Sequence, residues 1–156
     1  MKKLCNLHFK PVLSVTSLIF LLLSNLATAD IAIITHPDNK VDLSIEDIRL
    51  RFLGKHLNKE SAAIKITPIN LPFGHPSRAQ FDRMALDKSE ANIRTYWARM
   101  IFTSRARPPI EFNTEAQVIQ FVKTHPESIA YIDSKLANKG VKVLMTFAPD
   151  EKKAFQ

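Results

Sequence analysis

The chain has 156 residues, 22 of them lysine or arginine and 15 aspartate or glutamate, and its formal net charge is +7. Its only cysteine, Cys5, lies near the N terminus, so the rest of the chain forms no internal disulfide and must rely on a hydrophobic core. The length suits one domain with such a core, and the basic excess is too small to indicate a protein that binds nucleic acid.

The first 29 residues have the features of a signal peptide. Three lysines precede an apolar run, Val12–Leu23, and Ala27-Thr28-Ala29 gives the small-x-small pattern that signal peptidase accepts. The run is shorter than the roughly 20 residues that span a bilayer, so we expect cleavage and export to the periplasm rather than an uncleaved membrane anchor. Cleavage before Asp30 removes three lysines and no acid, which lowers the net charge from +7 to +4. That charge suits a small anionic ligand or an anionic envelope surface equally well.

The exported part begins with an apolar run that has the length of a buried strand, Ile31–Thr35. Ser44 with Asp47 is a capping signal that predicts the start of a helix, which Gly54 ends. Spaced isoleucines then predict a second strand, which stops just before the turn-rich stretch Asn70–Met84.

Three further helices and two strands are predicted from that stretch onward. Pro76 suits the first turn of one helix, and Asp87 with Glu90 caps the next, whose apolar stripe runs from Ile93 through Trp97 to Ile101. The stretch from Ser104 to Pro109 is predicted to be a loop. The remaining elements are a helix that Thr114 opens and the strands Ile129–Asp133 and Val141–Phe147.

This order, β-α-β-α-α-α-β-β, predicts an α/β fold with a mixed sheet of about four to five strands and helices on both faces. We expect one domain over residues 30–148, a signal peptide over 1–29 and a loose C-terminal tail over 149–156.

Candidate catalytic residues are lacking. The sequence contains no Gly-x-Ser-x-Gly motif, no cysteine follows the signal peptide, and the four remaining histidines have no metal-ligand spacing. Three of these histidines directly precede proline, which is typical of turns. We therefore expect a protein that is not an enzyme, with no metal and no cofactor.

Two stretches could bind an anion. In the first, Gly74, Ser77 and Arg78 lie at the predicted start of a helix, where free N–H groups and a partial positive charge favour an anion. The alternative is an ordinary chain reversal. In the second, Arg105 and Arg107 could form bidentate hydrogen bonds to a phosphate or carboxylate, although a solvated loop explains them as well.

Three blocks of sequence resemble a known family. "HPDNKVDLSIEDIRLRFLGK", "INLPFGHPSRAQFDRMAL" and "VIQFVKTHPESIAYID" are similar, in this order, to blocks of phosphate ABC transporter substrate-binding proteins, which have the type 2 periplasmic binding-protein fold. The likeness extends from Ile31 to about Leu144 and matches one lobe, whereas full-length members have two lobes that close over the ligand.

The resemblance implies that Gly74, Ser77 and Arg78 occupy the positions of a phosphate-binding loop. His75-Pro76-Ser77 replaces the family's Ser-Gly-Thr, which removes at least one backbone donor. The implied function is that of an exported solute-binding-like protein for phosphate or a similar small anion, connected with uptake or sensing. The implied partners are that anion and a membrane transporter or other envelope protein. The alternative is an envelope protein-interaction module on the same scaffold, with ligand binding lost.

Overall fold

A computed structural model describes residues 30–55, 65–137 and 140–148. The predicted signal peptide and the predicted C-terminal tail lie outside the described residues. No helix in the part of the chain that the structure describes is long and apolar enough to cross a membrane.

The described chain is built on a mixed five-stranded sheet with the strand order β3-β2-β4-β1-β5. β1 is antiparallel to β4 and β5, while β2 is parallel to β3 and β4. The predicted α/β fold and strand number are therefore confirmed. The strands are β1 (Ile31–Thr35), β2 (Thr67–Asn70), β3 (Ile110–Glu111), β4 (Ser128–Asp133) and β5 (Lys142–Phe147).

Within the described residues, four helices and one 3₁₀ turn connect these strands. The Ser44–Asp47 capping box and the Thr114 cap form as predicted. The predicted Asp87 cap is wrong, because the Ser89 side chain accepts the hydrogen bond from the Asn92 N–H instead. The helices are α1 (Ile45–Phe52), α2 (Pro76–Met84), α3 (Glu90–Phe102) and α4 (Glu115–Thr124), and the 3₁₀ turn is Ser134–Leu136.

An aromatic cluster joins the sheet to α1 and α2. Tyr131 of β4 stacks on Phe81 of α2 with ring centroids 4.0 Å apart, and Phe52 of α1 lies 4.6 Å from Phe81. The Tyr131 hydroxyl donates to Asn70 Oδ1 at 2.8 Å and accepts the Leu71 N–H at 3.3 Å. Because Asn70 ends β2, this cluster fixes the point from which the chain turns towards α2.

Helix α3 packs less extensively than its sequence predicts. Trp97 is buried, as expected from its apolar stripe. Ile101 was expected in the same stripe but is 56% exposed, and the adjacent Phe102 is 91% exposed. The apolar spacing thus continues one turn beyond the part of α3 that packs on the domain.

Candidate functional site

The first candidate site is the α2 corner, residues 74–78, where the chain leaves β2 and enters α2. Gly74 has a φ of +87°, a value that favours glycine. Pro76 occupies the first turn of the helix, as predicted, and the His75 ring is the cap, since its Nδ1 accepts the Ser77 N–H at 3.3 Å. Ser77 is therefore within the helix rather than at its cap.

Two donors of the corner already form hydrogen bonds with carboxylates of the same chain. The Gly74 N–H donates to Glu90 Oε2 at 3.1 Å, and the Ser77 hydroxyl donates to Glu115 Oε1 at 2.7 Å. The same Glu115 oxygen also accepts the Asp133 N–H at 2.7 Å. Glu115 thus ties the start of α4 to α2 and to the end of β4.

The third candidate, Arg78, is 1% exposed. Its Nη1 donates to the Leu71 carbonyl and to a carboxylate oxygen of Glu111, and its Nε lies 3.7 Å from Asp82 Oδ2. Its guanidinium carbon also lies 3.6 Å from the centre of the Phe73 ring. Arg78 is therefore surrounded by groups of its own chain.

Burial dominates the electrostatics around Arg78. It raises the pKa of Asp82 to about 6, although the Arg78 charge opposes this shift. At the exposed edge, a hydrogen bond from Arg94 is the main cause of a lowered pKa at Glu90, to which the Gly74 N–H contributes. Burial also raises the pKa of Tyr131. A carboxylate thus accepts from the Gly74 N–H, from the Ser77 hydroxyl and from Arg78.

The second candidate site is a pocket at the other end of β2. β2 and β3 are parallel, with their carboxyl ends at the α2 corner, and the pocket is lined by their amino ends. It has a volume of about 330 Å³. Its charged lining residues among the described ones are all cationic: Arg51 and Lys55 from the end of α1, and Arg105 and Arg107 from the loop before β3. We call it the basic pocket.

Two tight turns shape the walls of the basic pocket. Ser104 has a φ of +53° and follows α3, which lets the Arg105 N–H donate to the Met100 carbonyl at 3.0 Å. Gly54 has a φ of +66° and lies so close to Ala106 that an added Cβ would come within 2.9 Å of the Ala106 Cβ. The loop that carries Arg105 and Arg107 is thereby held against the end of α1.

The structure thus separates the residues predicted from sequence into two groups. Gly74, Ser77 and Arg78 lie together at the corner, and Arg105 and Arg107 lie together in the basic pocket. Sequence reasoning missed the other members of each group. They are Asp82, Glu90, Glu111 and Glu115 at the corner, and Arg51 and Lys55 in the pocket.

One of the missed residues, Arg51, could have been identified from the sequence. Arg51 follows Ile48 at helical spacing and directly precedes Phe52, so it interrupts the buried stripe of α1. Burial lowers the pKa of Arg51, an effect that Asp47 opposes. An arginine in a buried stripe is unusual, and it indicated a functional or paired residue.

No protein-family model and no curated protein matches the chain. Several solved structures match the chain. An ABC-type phosphate transport receptor from Vibrio cholerae is 17% identical with a TM-score of 0.57, and the match covers 76% of this chain and 47% of the receptor. A putative phosphate ABC transporter substrate-binding protein from Clostridium perfringens, solved with bound phosphate, is 18% identical with a TM-score of 0.57, covering 76% and 46%.

PstS from Borrelia burgdorferi is 20% identical with a TM-score of 0.55, and the match covers 81% of this chain and 52% of PstS. The described domain therefore has the fold of part of a phosphate-binding protein, as the sequence blocks predicted. The chain spans about half the length of the structures it matches.

Proposed function

We propose that this protein is an exported, non-enzymatic solute-binding-like protein that binds a small anion such as phosphate in the basic pocket, in connection with uptake or sensing. Two independent features support the proposal. The fold matches solved structures described as phosphate transport receptors or substrate-binding proteins. The signal-peptide pattern of the first 29 residues supports export to the periplasm.

The observation that carries the ligand site is the charge of the pocket. Its volume of about 330 Å³ is at the lower end of the range for small-molecule sites. Arg105 and Arg107 form no ion pair with a carboxylate among the described residues, so their guanidinium groups are available to an anion there. Lys55 and Arg51 add positive charge on the facing wall.

The α2 corner is the weaker candidate for a free anion. An anion that approached Gly74, Ser77 or Arg78 would have to displace a carboxylate from each donor. It would also meet the charges of those displaced groups at short range, which costs free energy. The basic pocket presents no such competitor among its described lining residues.

The carboxylates that already accept from the donors of the α2 corner also favour a second candidate function. If the corner has lost its anion, the domain is an interaction module on the same scaffold, and its partner is a membrane transporter or another envelope protein. The two functions differ in one property, the affinity for a free anion.

Calorimetric titration of the protein with phosphate, sulfate and small carboxylates tests the proposal. We expect saturable binding of at least one anion by the parent, weakened about tenfold or more by Arg105→Gln and by Arg107→Gln, because a charge-assisted hydrogen bond is lost. Affinity should also fall with added salt, since the pocket is open to solvent. Arg83→Gln removes an exposed arginine outside the pocket and should leave the affinity unchanged.

The other outcomes are equally specific. If no anion binds to the parent, the interaction module is favoured. If Ser77→Ala weakens binding while Arg105→Gln and Arg107→Gln do not, the anion binds at the α2 corner. Arg78 is unsuited to this comparison, because its burial makes it part of the folded core.

A further inference from the structure

The last turn of α3 presents two neighbouring apolar side chains to solvent. Ile101 is 56% exposed and Phe102 is 91% exposed, the highest value among the described large apolar residues with marked exposure. Elsewhere in the described chain such residues are half-exposed, as Leu136 is at 43%. A fully exposed phenylalanine beside an exposed isoleucine is the kind of surface that marks an interaction site.

Two arginines lie close to these two side chains along the chain. Arg99 lies three residues before Phe102, which places it next to Phe102 on the helix surface. Arg105 follows at the turn, where its N–H is bonded to the Met100 carbonyl. From residue 91 to residue 110 the sequence contains four arginines and no aspartate or glutamate. We define Arg99, Ile101, Phe102 and Arg105 as the α3 tip.

The α3 tip combines the two properties that bring a protein to an anionic bilayer. Apolar side chains such as phenylalanine enter the boundary between headgroups and acyl chains, and nearby arginines attract the phosphate groups of anionic lipids. The apolar part is two residues at the end of a helix, with Arg99 three residues before Phe102 and Arg105 three residues after it. This arrangement is complementary to a charged surface with an apolar interior, and less so to the broad apolar core of a stable protein interface.

We propose that the α3 tip docks the protein on the surface of an anionic lipid bilayer, with Phe102 and Ile101 inserted and Arg99 and Arg105 at the level of the lipid phosphates. This docking goes beyond the proposed binding of a free anion and does not depend on it. Arg105 also lines the basic pocket, which places that pocket beside the docked surface.

Vesicle flotation tests the docking with protein recovered from the cell envelope. We expect binding to vesicles that contain phosphatidylglycerol and much weaker binding to vesicles of phosphatidylcholine alone, with the difference abolished by high salt. Phe102→Ser should reduce the bound fraction about fivefold or more, as should the double variant Arg99→Gln/Arg105→Gln. Leu136→Ser, an exposed leucine outside the tip, is the matched control and should bind like the parent.

A local probe separates docking by the tip from attachment by any other segment. With Cys5 replaced by serine, Phe102→Cys and Leu136→Cys are each labelled with an environment-sensitive fluorophore. Anionic vesicles should shift the emission of the label at position 102 to shorter wavelength and leave that at position 136 unchanged. If the label at position 102 stays in water while the protein is on the vesicles, the proposal is overturned.

Phe102→Ser distinguishes this proposal from the proposed function, whereas Arg99→Gln/Arg105→Gln also changes the basic pocket. Phe102 does not line the basic pocket, so Phe102→Ser should leave the phosphate titration unchanged. If phosphate does not bind but the probe enters the bilayer, the docking stands and the anion-binding function falls. Equal binding of the parent and Phe102→Ser to anionic vesicles, with no probe shift, rejects docking whatever the titration gives. Capture of a protein partner by the tip without vesicle binding rejects it as well.

Discussion

Arg78 is a buried residue that stabilises the fold rather than a charge exposed to solvent. Its guanidinium is held by the Leu71 carbonyl, Glu111 and the face of Phe73, and Asp82 lies beside it. Removing one member of a buried ion pair leaves the other charge without compensation, which destabilises a protein by about 3–5 kcal/mol. The arginine therefore connects the end of β2, the start of α2 and β3.

We expect Arg78→Ala to lower the free energy of unfolding by about 3–5 kcal/mol, because the buried Asp82 carboxyl loses its cation. Ser77→Ala should lower it by about 1–2 kcal/mol, since it removes one hydrogen bond to a carboxylate. Urea unfolding measures both. Arg83→Ala, an exposed arginine on the same helix, should change it by no more than about 0.5 kcal/mol. Equal effects of Arg78→Ala and Arg83→Ala would contradict the buried role.

Asp82 should make stability depend on pH in an unusual direction. Burial raises its folded-state pKa from 3.8 to about 6, so between these values the folded state holds a proton that the unfolded state has released. The contribution of this carboxyl to stability is therefore greatest below about pH 4 and falls as the pH rises towards 6. The fall amounts to at most about 3 kcal/mol, since one unit corresponds to about 1.4 kcal/mol.

The variant Asp82→Asn isolates this effect, because asparagine does not titrate. We expect the unfolding free energy of the parent, minus that of Asp82→Asn, to decrease between pH 4 and pH 7. The subtraction removes the contributions of other groups, including Glu90, whose lowered pKa acts in the opposite direction. A difference that stays constant over this range would show that Asp82 is ionised in the folded state throughout.

At the scale of elements, the junction between α1 and the loop after α3 depends on Gly54. Both Gly54 and Gly74 have a positive φ, so alanine strains the backbone at either position. Only at Gly54 would the new Cβ also meet Ala106 at 2.9 Å and Trp97 at 3.2 Å, whereas nothing lies within 4 Å at Gly74. We expect Gly74→Ala to cost about 1 kcal/mol and Gly54→Ala about 1–3 kcal/mol more, owing to overpacking. Thermal denaturation compares the stability of the two variants. Equal melting temperatures would show that the junction accommodates the Cβ at position 54 without a further loss of stability.

Most elements could be predicted from the sequence because their signals are local. The fully buried strand Ile31–Thr35, the capping box at Ser44 and the cap at Thr114 each depend on neighbouring residues. β3 could not be predicted, because its two residues pair with β2 across 41 positions of sequence. Nothing in the local pattern of Ile110 and Glu111 reports that pairing.

The residues of the candidate sites likewise divide into those that local sequence predicts and those that it does not. The donors of the α2 corner could be predicted, since a turn with glycine and proline before a helix is a local pattern. Their acceptors could not, because Glu90, Glu111 and Glu115 come from later elements that the fold brings to the corner. The two arginines of the basic pocket could be identified because they lie in one loop. The facing wall could not, because it comes from the end of α1.

At the scale of the whole molecule, the sheet joins the two ends of the described chain. β1, the first strand, lies between β4 and β5, the last two, and all five of its residues are buried. One hydrophobic cluster includes residues from β1, β2, β4 and all four helices. The early strand thus completes its pairing only when the last strand is in place, which favours folding as one unit.

We therefore expect a single cooperative unfolding transition. Fluorescence of Trp97, which is buried in α3, and far-ultraviolet circular dichroism of the whole domain should give the same midpoint in urea. Ile33→Ala, in the middle of β1, should lower the unfolding free energy by about 2–5 kcal/mol and shift both signals together. Val143→Ala, in the edge strand β5 and 44% exposed, should shift them much less. Separate midpoints in the parent would show that α3 unfolds independently of the sheet, and the single cluster would then not be a single cooperative core.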